Sequence, residues 1–149
     1  MKYILTLFVL AFSRLVYSQQ PDTLNWETII NSSSGWKTFT SIKDLDKTLI
    51  SKFPEWKDMS GPKGRFEATD VGGGPRERLF FAANYQNYWI VSYEHGGIGY
   101  HTHCFFIQVK DENKFIIYDS YNEFRTLQKL QSFVLTKDIP MELWDGYDY

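Results

Sequence analysis

The sequence predicts an α+β domain: a five-stranded antiparallel meander with one or two helices packed on one face. Three observations carry this. Apolar residues recur at helical spacing near 42–53 and again near 124–134. Between them lie five short runs rich in aromatic and β-branched residues, divided by Gly, Asn and Asp turns. The connections are short, which favours consecutive antiparallel strands.

Ahead of the domain, residues 1–18 have the form of a signal peptide. Lys2 is followed by an apolar run, Tyr3 to Phe12, too short to span a bilayer, and Val16 and Ser18 stand at −3 and −1 before Gln19. Arg14 departs from the leader pattern, and an uncleaved anchor is the alternative. The expected organisation is a leader, 1–18, and a single exported domain, 19–149, in the periplasm or outside the cell. No later stretch is apolar enough to span a bilayer, so no integral membrane segment is expected once the leader is cleaved.

Removing Lys2 and Arg14 leaves 14 basic against 18 acidic side chains, a net charge of −4. That argues against nucleic acid as a partner. Cys104 is the only cysteine, so an exported fold must rest on its core with no internal disulfide. Phe (12), Tyr (10) and Trp (5) are abundant enough to fill that core and leave some for a binding surface.

Taken in order, Trp26 to Ile30 forms a short helix and 31–35 a loop. Ile42, Leu45, Leu49, Ile50 and Phe53 make one stripe of a helix over 42–53. Ser41 and Asp44 supply a capping-box pattern at its start, and Pro54 ends it. Arg65–Asp70 alternates, with Phe66 and Ala68 on one face, and reads as the first strand. The glycines of 71–75 lack the Lys-Ser/Thr of a phosphate cradle and read as a hairpin connection. Strands follow at Glu77–Asn84, Tyr88–His95, Tyr100–Lys110 and Lys114–Asp119. A last helix is capped by Ser120 or Asn122 and carries Phe124, Leu127, Leu130 and Val134 as its stripe. The acidic, aromatic tail from Ile139 packs as an arm or presents a contact surface. This order of elements resembles the cystatin-type helix-on-sheet architecture; it implies arrangement only and no activity.

The chemistry concentrates in Tyr88–Asp119, which holds all three histidines and Cys104. His101 and His103 share a strand face with Phe105, Ile107 and Val109. Two registers are open at the turn. With Gly96-Gly97 as a two-residue turn, Glu94 and Ser92 share the histidine face. With Gly97-Ile98-Gly99 as a three-residue loop and Gly99 left-handed, His95 stands opposite His101 and Tyr93 opposite His103. A metal centre would then take His101, His103 and either His95 or Glu94, with zinc as the ion and one coordination position open. Gly96 ahead of His101-Thr102-His103 resembles the first cupin motif, but Ile107 and Gln108 stand where that motif needs a glutamate. His103, an apolar strand, a hairpin and Asp119 together resemble the histidine-and-orienter half of a papain-like hydrolase. Cys104, the only thiol, points to the opposite face.

With no complete catalytic set, the leading expectation is an exported binding or inhibitory module without a cofactor. Its partner would be a protein, such as a secreted enzyme or toxin that it neutralises, or a glycan. Trp89, Tyr93, Tyr100, His101 and His103 would form the binding surface, on an uncovered, aromatic-rich sheet face and the hairpin tip. The alternative is a metal-dependent enzyme on the 88–109 hairpin.

Overall fold

In the computed structural model, residues 25–32 and 34–146 are described. The expected leader, 1–18, and its expected cleavage site fall outside these residues. A six-stranded antiparallel sheet runs in chain order: β1 (Lys37–Phe39), β2 (Glu77–Tyr85), β3 (Tyr88–His95), β4 (His101–Asp111), β5 (Lys114–Ser120) and β6 (Glu142–Leu143). Three helices accompany it: α1 (Trp26–Asn31), α2 (Lys47–Lys52) and α3 (Leu127–Val134). The fold is thus the expected α+β meander. None of the described helices is long and apolar enough to cross a membrane.

The expected strand at 65–70 is absent. Those residues belong to a closed loop whose backbone bonds run to Pro75 and to the β3–β4 turn (Glu67 N to Pro75 O, 2.9 Å; Gly97 N to Ala68 O, 3.3 Å). Two short strands take up the edges instead, β1 on β2 and β6 on β5. The expected helix at 42–53 is split. Ser41 caps a 3₁₀ turn at Ile42–Asp44, then Asp46 caps α2 by accepting from Thr48 N at 2.7 Å. Two N-caps five residues apart are the cause: Asp46 draws its own helix start in the middle of the apolar stripe. The last helix begins later than expected, because Thr126 caps it by accepting from Lys129 N.

Helices cover both faces of the sheet rather than one. Leu49 of α2, with Phe53 at its end and Trp56 of the 3₁₀ turn that follows (Pro54–Asp58), packs on Val91, Tyr93, Phe105 and Ile107. On the other face, Trp26 and Ile30 of α1 and Leu130 and Val134 of α3 pack on Ile90, Cys104 and Phe106. The physical reason lies in β3 and β4, whose side chains are apolar in unbroken runs. A strand of that kind must be buried on both sides. The tail crosses the sheet edge: Ile139 is buried with α3, whereas Trp144 stacks beside Phe53 (5.2 Å between ring centroids) and Phe105 (5.7 Å).

A bulge in β2 decides which side chains meet the hairpin. The register shifts between Leu79 and Phe81, so Leu79 faces Tyr93, Arg78 faces Glu94 and Glu77 faces His95. Without the extra residue Arg78, not Glu77, would oppose His95, since a one-residue shift exchanges faces.

Two-sided covering gives a direct expectation for stability. Trp56→Ala on one face and Phe106→Ala on the other should each lower the unfolding free energy by about 3–5 kcal/mol in urea titrations. A sheet covered on one face only would show the large loss for just one of them.

Candidate metal centre

The β3–β4 turn settles the register. His95 stands opposite His101, Tyr93 opposite His103 and Ser92 opposite Cys104. The left-handed glycine is Gly97 (φ 146°) rather than Gly99. Gly96 is needed for a different reason. A Cβ there would lie 2.1 Å from the Glu67 carbonyl oxygen, so only glycine lets the 61–76 loop dock against the tip. Its N–H donates to Arg76 O at 2.7 Å.

The three histidines converge. One ring nitrogen from each of His95, His101 and His103 lies within 4.8 Å of the others. His95 Nδ1 and His101 Nε2 share a hydrogen bond at 3.3 Å. Two nitrogens of a tetrahedral zinc site, at bond lengths of about 2.0–2.1 Å, are separated by about 3.3–3.4 Å. The hydrogen-bonded pair therefore already has the spacing of one edge of such a site. His101 Nδ1 donates to Gly99 O at 2.7 Å, which leaves its Nε2 with a lone pair facing the cluster.

His103 is oriented most tightly. It is 2% exposed, and its Nδ1 donates to Asp119 Oδ2 at 2.7 Å, with Asp119 itself 4% exposed. Tyr93 stacks on the imidazole at 5.0 Å and 24°. With Nδ1 committed to the carboxylate, Nε2 carries the lone pair. That nitrogen is buried and has no hydrogen-bond partner. An orphaned buried acceptor costs about 1–3 kcal/mol, and a bound cation would remove that cost. Carboxylate behind imidazole, with the far nitrogen free, is the outer-shell arrangement of histidine metal ligands.

Glu94 does not join the site. It lies on the opposite face, where it forms an ion pair with Arg78 and accepts from the Tyr100 hydroxyl at 2.9 Å. Partial burial, then this hydrogen bond, raises the Tyr100 phenol above its ordinary pKa. Of the aromatic residues expected to bind, Trp89 (8% exposed) and Tyr93 (1%) lie in the core, and α2 with its following turn covers their face. Tyr100 is half exposed.

The pairing expected from the papain-like resemblance, His103 with Asp119, is present, but no thiol faces it. Cys104 is fully buried on the other face. Ser92 is buried too, and its hydroxyl donates to Phe124 O at 2.6 Å. Asp119 entered the sequence reading only through the papain-like comparison, not as the residue that orients one member of a histidine cluster, although the pair was legible as a His and a carboxylate on adjacent strands. The bulge in β2, which sets Glu77 opposite His95, is a feature that periodicity cannot place.

Burial pushes the Cys104 thiol well above its ordinary pKa, and nearby Asp119 adds to the shift. Only the thiolate reacts. Native protein at pH 8 should therefore resist alkylation by iodoacetamide and modify fully in denaturant, as mass spectrometry would read. Rapid native modification would contradict this burial.

Comparison of the chain with protein-family models, with curated proteins and with solved structures gave no match.

Proposed function

We propose that this chain is an exported metalloprotein whose hairpin tip holds one zinc-like ion on His95, His101 and His103, with a fourth position open to water or substrate. The single observation that carries the reading is the buried Nε2 of His103, without a hydrogen-bond partner and backed by Asp119. His95 and His101, a zinc-edge distance apart, supply the rest of the set. Three neutral imidazoles suit zinc, copper, nickel or cobalt better than calcium or magnesium. Drawing the third nitrogen in from as far as 4.8 Å asks for a side-chain shift of about 1.5 Å to reach a zinc edge. His95 and His101, both partly exposed, have room for it. An ion with three protein ligands and an open position is a Lewis acid, which is the enzymatic reading of this centre.

Metal analysis of the purified, zinc-reconstituted protein should give one ion per chain, and zinc should raise the melting temperature. His101→Ala/His103→Ala should abolish both effects. Stoichiometry near zero in the wild type, with the double variant merely less stable, would sink the reading. Asp119→Asn should keep the three ligands but weaken zinc binding by about 10–100-fold, as measured by competition with a chromogenic chelator.

A second reading is favoured by the exposed apolar side chains of the tip, Ile98 (101%), Tyr121 (57%) and Tyr100 (50%). In it the tip is a contact surface for a protein or glycan. Partner capture from the native compartment that survives both chelation and the double histidine variant would favour it over the metal centre.

A further inference from the structure

Resting on the metal reading above, we propose that Glu77 is the proton acceptor for a metal-bound water, which makes the centre hydrolytic towards ester or amide carbonyls. The argument begins with the bulge in β2. It places Glu77, and not Arg78, directly across from His95. Side chains directly opposite in an antiparallel pair have Cβ atoms about 4.5–5.5 Å apart and project to the same face. Leu79, two residues on, confirms that face, because it packs with Tyr93, Val91 and Phe105.

The exchange of residues matters electrostatically. A guanidinium beside three imidazoles would repel a cation, whereas a carboxylate attracts one and can take a proton from its water. Arg78, turned to the other face, pairs with Glu94, and Arg76 pairs with Asp70. The Glu77 backbone is also held firmly: its carbonyl accepts from Ser60 N at 3.0 Å, and Leu79 N donates to Ser60 O at 2.9 Å.

Glu77 lies outside the group of nitrogens that converge within 4.8 Å. It stands one strand over, on the face of His95, and so is assigned to the water of the open position rather than to the ion. Three ligands, an open position and a carboxylate beside it are the parts needed for hydrolysis. In the step itself, water on the ion gives one proton to Glu77, and the resulting hydroxide attacks the carbonyl carbon. The C–O or C–N bond breaks, and the leaving oxygen or nitrogen takes the proton back from Glu77. The products are an acid with an alcohol or amine, with no change of oxidation state. The exposed ring of Tyr121, 5.4 Å from His103, and exposed Ile98 flank the tip, so the carbonyl would be presented on an open surface.

The test uses the full chain loaded with zinc and p-nitrophenyl acetate as probe. Wild type should hydrolyse it faster than the metal-free protein and faster than His101→Ala/His103→Ala in the same zinc. Glu77→Gln should keep one zinc per chain and lose about 10²-fold or more of that rate. Glu77→Asp, which keeps a carboxylate on a shorter stem, should retain more activity than Gln and guards against a folding artefact. Loss of zinc in Glu77→Gln would make Glu77 a ligand and overturn the proposal, as would an unchanged rate. A zinc-loaded wild type no faster than the metal-free form would overturn hydrolysis while leaving the metal centre intact. Absence of stoichiometric zinc would overturn both.

Discussion

The pairing of β3 with β4 is the constraint on which the rest depends. It is the central ladder of the sheet, and its register sets three things at once. It brings His95, His101 and His103 to one face, it sends Glu94 and Cys104 to the other, and it aligns the apolar rows that the helices cover. A slip of one residue would carry His101 and His103 to the face of Ile90 and Phe106, away from Asp119, and would put Phe105 and Ile107 under the wrong cover. The tip is pinned from outside as well. The docked 61–76 loop fits only against glycine at position 96.

Burial and site are linked through the same residues. Tyr93 and Phe105 belong to the core beneath α2, yet both also pack against the His103 ring. Trp56 stacks on Phe53 (4.1 Å, 10°) and meets Tyr93 edge-on, so that cover is continuous up to the imidazole. The histidine row is the polar end of an apolar stripe. Its innermost member is held by packing on two sides and by Asp119 on a third, while the outer two remain partly exposed. A rigid inner ligand and more adaptable outer ones suit a centre that is assembled without a disulfide.

The sheet and its chain order were legible because the strand-forming runs are long and the turns between them are short. The three-histidine face was legible only as one branch of a fork. Periodicity cannot choose between a two-residue turn and the observed connection, since glycine fits both; the docking of Ala68 and Glu67 against the tip makes the choice. The expectation of a bare sheet face failed for a reason visible in the same residues. Ile90, Val91, Phe105 and Phe106 leave no polar side to expose, and Trp26 of the short first helix covers the second face. The 65–70 strand failed because six residues of weak alternation cannot outweigh Gly72 and Gly74, which fold back on the Glu67 side chain.

Helix α1 has a bearing on how the molecule is oriented. Trp26 packs on Tyr88 (5.6 Å) and Phe106 (5.3 Å), on the face opposite the histidines and at the start of β3. His95 closes the same strand seven residues later, about 23 Å away at the usual rise of a strand. Helix α1 therefore braces the end of β3 opposite the histidine tip, so the two ends of one strand carry separate tasks: one anchors the sheet to its helical cover and the other presents the histidines.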